Sequence, residues 1–409
     1  MNLELYPYQR TGAAFLAKRR RAYLADQMGL GKSAQAVLAA RAVGASSMYV
    51  VCPAAAVENW HREASLWGFA GDFEAISYSR LIRRAKSVGP KSLVVLDEAH
   101  YCKTPSAKRS RAALGLAAKA DYAWLLSGTP MPNDPTEFWA PVKYLWPESA
   151  LALGIRTKQQ WMDRFCKTRA THWGPKVYGV RNGGELRGLI KPWFLRRTLD
   201  DVGLELPPLR VDISYLPKDR AAEQALAEYE DYDSMPAEQV FTSTLRRLLG
   251  RAKAPAIARQ IVEELRDKAY EQIVVLYYHK EVRDLLAEQF AKAGVSVTGF
   301  GGDTPASQRQ EAVDAFQAGK AQVFLAQQSS AGVAITLTAA HEIVLVEPAW
   351  TPDDNDQAIK RIHRIGQDKP CRARIFSMPG TVDSALMQTV ARKTQMKKEV
   401  FGVNGGGVL

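Results

Sequence analysis

The stretch ADQMGLGKSAQA, residues 25–36, follows a short apolar segment, Tyr23-Leu24-Ala25, and opens an alanine-rich run of helical composition. A Gly-x-Gly-Lys-Ser turn between a strand and a helix binds phosphate. Gly29 and Gly31 free backbone N–H groups to converge on an anion, and the helix N-terminus adds its dipole. Lys32 reaches the β- and γ-phosphates of ATP, and Ser33 offers its hydroxyl to Mg2+. The strict form of this motif has glycine where Asp26 stands, so the surrounding pattern must carry part of the argument.

Short, continuous apolar runs recur on both sides of this turn. SMYVVCP (47–53), KSLVVLDEA (91–99) and YAWLLSGTP (122–130) lie in the first half, and EQIVVLYYH (271–279), VSVTGFGG (295–302), AQVFLAQ (321–327) and HEIVLVEPA (341–349) in the second. Each ends in polar or turn residues, and helical patterns separate them. That is the signature of buried parallel strands with functional loops at their carboxyl ends. At 409 residues the chain exceeds one comfortable core, so two doubly wound α/β lobes are expected. Lobe 1 is assigned to 1–206 with a helical insertion at about 131–195, and lobe 2 to 207–409 with a helical insertion at about 217–250. The Pro-bearing stretch LELPPLRVD (204–212) reads as the connector.

Two further motifs carry chemistry. Leu96-Asp97-Glu98-Ala99-His100 closes an apolar run with adjacent carboxylates: Asp97 is suited to hold the Mg2+ that bridges the β- and γ-phosphates, and Glu98 to polarise the attacking water. In Gln357-Ala358-Ile359-Lys360-Arg361-Ile362-His363-Arg364-Ile365-Gly366-Gln367, spacings of four and three predict that Gln357, Arg361 and Arg364 share a helical face. Two arginines aimed together suit a γ-phosphate whose charge spreads over three oxygens. Ser127-Gly128-Thr129-Pro130 ends the strand after the Asp-Glu pair and is a candidate relay of nucleotide state.

Charge is distributed unevenly. Of 55 Lys+Arg residues 31 fall in 1–215, against 18 of the 43 acidic residues, so the net charge of +12 belongs to the first half and suits a polyanion such as nucleic acid. No apolar run approaches the roughly 20 residues of a membrane span, and MNLELYPYQR lacks a signal-peptide pattern, so no membrane partner is expected and the location expected is cytoplasmic. Cys52, Cys102, Cys166 and Cys371 have no paired spacing, which argues against a zinc site or a disulfide framework.

In their order along nearly the whole chain these motifs resemble the Swi/Snf family of superfamily-2 ATP-dependent double-stranded DNA translocases. Tyr6-Pro7-Tyr8-Gln9 is similar to the Q motif, VVCPAAAVENWHRE (50–63) to motif Ia, and ISYSRL (76–81) stands where the family contacts a strand. WFLRRTLDDVGLELPPL (193–209) resembles the interlobe signature, GFGGDTPASQRQEAVDAF (299–316) motif IVa, AQQSSAGVAITLTAA (326–340) motif V, EPAWTP (347–352) the segment before motif VI, and RIHRIGQ (361–367) motif VI itself. FCKTRATHWGPKVYGVRNGGEL (165–186) and GTVDSALMQTVARKTQM (380–396) look most like the annealing-helicase (HARP-like) branch. Two departures stand out: Ala334-Ile335 replaces a Gly-Leu pair in motif V, and Ile359-Lys360 replaces an acidic pair in motif VI.

The resemblance implies two RecA-like lobes with parallel sheets, ATP and Mg2+ as cofactors, and Gln9 as the reader of adenine, with Gln357 also at the nucleotide. It implies nucleic-acid contacts from Pro53, Asn59, Tyr78, Ser79, Ser127 and Thr129 in lobe 1 and from Ser330, Gly332 and Thr336 in lobe 2. The expected partner is double-stranded or branched DNA, with replication or repair proteins beside it, and the expected state is a monomer, in a bacterial or phage-infected cell. Hydrolysis in a cleft between the lobes would drive movement along one strand through phosphate contacts, with little sequence specificity and steep salt dependence. Two rivals are a superfamily-2 helicase acting on single-stranded DNA or RNA, which RIHRIGQ disfavours, and a nucleotide-dependent DNA clamp without productive turnover, which intact Lys32, Glu98, Arg361 and Arg364 disfavour.

Overall fold

In the computed structural model, residues 5–83, 88–172, 174–216, 243–328, 335–379 and 381–401 are described. The chain divides into two compact units, one of Met1–Glu205 with Arg392–Gly406, the other of Leu206–Ala391 with Gly407–Leu409. Each is built on a six-stranded sheet whose pairings are all parallel.

The first sheet contains β1 (Arg21–Leu24), β2 (Ser47–Cys52), β3 (Asp72–Ser77), β4 (Ser92–Asp97), β5 (Tyr122–Leu126) and, beyond a small hairpin of β6 (Cys166–Arg169) and β7 (Lys176–Val180), β8 (Phe194–Leu195). Their order is β3-β2-β4-β5-β1-β8. Val94, Val95, Leu96, Ala123, Trp124 and Leu125 are fully buried, as continuous apolar strands covered on both faces must be. Helix α1 (Pro7–Ala17) leads into β1, and helix α2 (Lys32–Ala42) follows the glycine turn. The ends of β1, β4 and β5 lie side by side, with Leu24 opposite Leu126 and Asp97 opposite the same residue. The three loops that carry sequence motifs therefore emerge at one edge.

The second sheet, in the order β11-β12-β10-β13-β14-β9, contains β9 (Leu209–Tyr215), β10 (Ile273–Tyr277), β11 (Val297–Phe300), β12 (Val323–Gln327), β13 (Glu342–Leu345) and β14 (Cys371–Ser377). Leu209 onward, read from sequence as connector, is instead an edge strand beside β14. Arg210 and Arg372 both donate to Asp212, each at 2.7 Å, which ties that edge across the two strands. Of the insertion expected at about 217–250, residues 217–242 lie outside the described residues, and a helix runs from Ser243 to Arg266. The region 131–195 is helical in part (Trp139–Leu145, Lys158–Phe165 and Gly183–Ile190) but also contains the β6–β7 hairpin.

The last helix, Val382–Phe401, ends inside the first unit's core. Met396 and Val400 are buried there, Phe401 stacks on Phe194 at 5.7 Å, and Arg187 donates to the carbonyls of Glu399 and Val400. Eight of the nine tryptophans belong to this unit, so their fluorescence reports its unfolding. Met396→Ala should destabilise it by about 2–4 kcal/mol, the cost of a cavity at a buried methionine. Urea unfolding followed by tryptophan emission measures this, and an unshifted transition would mean the helix end contributes nothing to the core.

Candidate functional site

The turn after β1 has the backbone that its glycines permit. Gly29 and Gly31 take φ of 89° and 67°, left-handed values that disfavour side chains, and Gly31 caps the start of α2. A Cβ on Gly31 would lie 2.3 Å from Gln9 Nε2, so the Gln9 amide sits directly over the loop; it also donates to Leu30 O at 3.4 Å. Lys32 Nζ donates to the carbonyls of Asp26 (2.8 Å) and Gln27 (3.4 Å). Burial lowers the Lys32 pKa, opposed by the carboxylates of Glu98, Asp26 and Asp97, which places all three in its electrostatic reach. Ser33, the second residue of α2, is half-buried.

At the end of β4, Asp97 accepts from the Trp60 indole (2.8 Å) and from the Glu98 amide (3.0 Å). Glu98 takes φ 49° and ψ 53°, a left-handed conformation rare for a residue with a side chain, and such outliers cluster where function imposes them. Ser127 Oγ donates to Glu98 Oε2 at 3.3 Å and lies 3.0 Å from His100 Nδ1, while Thr129 Oγ1 lies 3.2 Å from the same nitrogen. The β4 and β5 loops thus share one hydrogen-bond network, in which the Ser127-Thr129 turn touches the acidic pair directly.

In the second unit, helix Pro352–Ile359 carries Gln357, half-buried, and stops at Ile359. Arg361 and Arg364 are therefore not on a helical face with Gln357. Past Ile359 the ladder tightens, Arg361 N–H bonding to Ala358 O and Ile362 N–H to Ile359 O, while Leu337 N–H bonds to Arg361 O and Gln367 Nε2 donates to Ile362 O as well as to Thr338 O and Ala340 O. The two arginines converge by another route, both guanidinium groups donating to Ile335 O, at 3.4 Å and 3.0 Å.

The nucleic-acid candidates divide. Asn59 and Ser79 are exposed and Thr336 is half-buried, whereas Ser330 and Gly332 lie outside the described residues. Tyr78, Ser127, Thr129 and Pro53 are buried. Tyr78 stacks on Tyr101 and donates to Asp97 O at 2.8 Å, and Ser127 and Thr129 are engaged in the network around Glu98 and His100, so their side chains support the acidic pair from inside the unit. Sequence reasoning missed Trp60 and His100 as supporting groups, although both stand within quoted motifs.

A phosphate loop beside an acidic strand end in one parallel α/β unit, with convergent arginines in a second, defines a P-loop ATPase of the helicase-like class. Residues 75–249 match the SNF2-related domain and residues 255–366 the helicase conserved C-terminal domain, so the chain is an SNF2-related ATPase with a helicase C-terminal domain. Among relatives it is 27% identical, over 97% of its length and 62% of theirs, to a "SWI/SNF-related matrix-associated actin-dependent regulator of chromatin subfamily A-like protein 1 homolog" of Caenorhabditis elegans. It is 26% identical to the "DNA annealing helicase and endonuclease ZRANB3" of Bos taurus, over 97% of this chain and 40% of that one. The chain thus spans less than two thirds of these relatives. The solved "Sulfolobus solfataricus SWI2/SNF2 ATPase core in complex with dsDNA" is 22% identical with a TM-score of 0.46, covering 98% of this chain and 94% of that one. Among the described residues no helix is long and apolar enough to cross a membrane.

Burial, reinforced by the Glu98 charge, pushes the Asp97 carboxyl up to about 6, against partial relief from Trp60 and Lys32. Its folded pKa lies above the unfolded value, so the native state binds more protons between pH ~4 and ~6, and this group's contribution to stability falls as pH rises through that window. Asp97→Asn removes the titration. Its stability relative to wild type should therefore rise from pH 4 to pH 7, as read by urea unfolding at each pH; a difference independent of pH would show an unperturbed Asp97.

Proposed function

We propose that the chain couples ATP hydrolysis to translocation along double-stranded DNA, and that it works on branched or protein-bound duplexes by reannealing, remodelling or clearing them. The support that weighs most is the grouping of Lys32, Asp97 and Glu98 about one loop edge, joined by the names of the relatives, which include an annealing helicase. The basic first half of the sequence fits a polyanionic track.

Mg2+ suits the oxygen donors available. It prefers six oxygen ligands and retains waters, so the Ser33 hydroxyl and Asp97 carboxylate would hold it together with phosphate oxygens; among the described residues no group of three or more His, Cys, Asp or Glu could hold a metal alone. Bound there, it would offset charge on the β- and γ-phosphate oxygens.

The chain's own residues do the rest. Lys32 exchanges the Asp26 and Gln27 carbonyls for phosphate oxygens, Gln9 reads the adenine edge, and Glu98, steadied by Ser127, polarises the attacking water. Arg361 and Arg364, with Gln357 nearby in sequence, counter the charge that grows on the γ-phosphate. Asn59, Ser79 and Thr336 contact the nucleic-acid backbone. Such contacts carry little base information, so salt should weaken binding steeply and sequence should matter little.

Steady-state ATPase assays with no nucleic acid, single-stranded DNA, duplex DNA, forked DNA and RNA test the reading, with Lys32→Ala as the blank. Duplex or forked DNA should stimulate turnover most. Glu98→Gln should bind ATP without releasing it as product, and Arg361→Ala should keep DNA binding while turnover falls ~10³-fold. Stimulation by single strands or RNA alone would favour a helicase acting on those substrates, and tight DNA binding without turnover a clamp.

A further inference from the structure

Asp26 is fully buried, and an ionised carboxylate is tolerated there only if it is paired and hydrogen-bonded. Arg197, two residues beyond β8, supplies the pair: its Nε and Nη2 donate to the two carboxylate oxygens at 2.9 Å and 2.5 Å. The same guanidinium donates from Nη1 to Tyr8 O (2.6 Å) and from Nη2 to Gln35 Oε1 (3.0 Å), and Gln35 Nε2 donates onward to Asp26 Oδ2 and to Leu30 O. The backbone continues the connection, since Gln27 N–H donates to Arg197 O at 2.8 Å and Leu199 N–H to Gln27 Oε1 at 2.8 Å. Gly12 of α1 packs against this cluster: a Cβ there would stand 1.7 Å from Gln35 Oε1 and 2.5 Å from Arg197 Nη2, so a side chain would displace one or both.

We infer that Arg197 is a positioning residue for ATP. By neutralising Asp26 and fixing both ends of the 26–31 loop, it presets the phosphate-binding backbone and keeps the Asp26 carboxylate from capturing Lys32. Lys32 already rests on the carbonyl of Asp26, so an unpaired carboxylate on that residue would compete with phosphate for the ammonium. This rests on the loop being the ATP site.

Arg197→Gln should weaken binding of a fluorescent ATP analogue at least tenfold and raise KM for ATP more than it lowers kcat. Adding Asp26→Asn to that variant should recover much of the affinity, because the competing charge is gone; a loss of stability alone would reduce the folded, active fraction and so lower kcat with KM unchanged. ATP affinity within twofold of wild type, or a double variant no tighter than the single, overturns the inference. If Arg197→Gln does not fold, Arg197→Lys keeps the charge and loses the two-pronged geometry, and an unchanged KM in it overturns the inference equally. A wild-type protein that binds no ATP would instead sink the reading of the loop itself.

A separate observation concerns the β6–β7 hairpin. Its base is anchored by buried Cys166 and Val180, and its turn is closed by Thr171 Oγ1 donating to Gly174 O at 2.6 Å. Lys167, Arg169, His172, Lys176 and Arg181 fall within residues 165–184, where the sequence has no acidic residue. Arg169 stands directly across the ladder from Lys176, which sets two basic residues opposite each other. Lys167, Arg169 and Arg181 are exposed, as is Tyr178 on the opposite strand. The geometry points to a nucleic-acid backbone as the ligand of this hairpin, its phosphates meeting the basic residues of the two strands and Tyr178 offering a ring to an unpaired base. This rests on the protein binding DNA.

Lys176→Glu places an acidic residue opposite Arg169 and reverses the charge at that position. Fluorescence anisotropy with forked DNA should show weaker binding and a salt dependence of log K shallower by about 1 than wild type. Unchanged affinity and slope overturn the assignment, whereas a wild-type protein without DNA affinity would remove the premise.

Discussion

A carboxylate placed where water cannot reach it sets the conditions for the nucleotide loop. Asp26 occupies a position where a strict phosphate loop has glycine, and its burial is tolerable only because Arg197 meets it with two donors. That pairing brings the segment after β8 alongside β1, so that Ala25 N–H bonds to Leu195 O and Gln27 N–H to Arg197 O. It also brings α1 close enough that a side chain at residue 12 would displace Gln35 Oε1, Arg197 Nη2 or both. The loop, the edge strand and the helix thus meet at one ion pair.

The acidic strand end has a different support. Asp97 and Glu98 are adjacent in sequence, yet their surroundings separate them. Asp97 is held by Trp60 and by the Glu98 backbone and is pushed toward its neutral form, while Glu98 faces Ser127 and His100. Two neighbouring carboxylates can take distinct chemical tasks when their environments differ in this way. Because Ser127 also bonds the Thr129 amide, at 3.1 Å, a shift in the β5 loop is felt at Glu98 without any long chain of contacts.

Much of this was legible in the sequence wherever a motif coincides with a strong local rule. The glycines of the phosphate loop, the apolar strands at 47–53, 91–99, 122–130, 271–279, 321–327 and 341–349, and the acidic pair all follow from local period or turn chemistry. What escaped depended on distance in the chain. Arg197 is 171 residues from its partner, and nothing near it in sequence marks it as buried or paired. Tyr78, Ser127 and Thr129 stand in motifs that the sequence shows, but only the packing of β3, β4 and β5 shows that their side chains face inward. The strand β9 was hidden by the prolines just before it, and its alternating half-buried pattern is weaker than that of a central strand.

The arginine turn shows why a correct spacing can rest on a wrong element. Separations of three and four residues bring side chains together on a helix, but the helix is finished at Ile359, before either arginine. In a helix continuing through 361–364 those amides would bond to the carbonyls of residues 357–360, but Arg361 N–H and Ile362 N–H bond instead to Ala358 O and Ile359 O, three residues back. Gln367, buried and donating to Ile362 O, Thr338 O and Ala340 O, and Leu337 N–H, bonded to Arg361 O, tie this stretch into tertiary contacts. The result is a compact turn pinned to the segment at 335–340, so that both guanidinium groups meet at Ile335 O. That carbonyl belongs to the departure from the usual Gly-Leu pair in this stretch. Since only its backbone is used, replacing the side chain at 335 leaves the arginine arrangement intact.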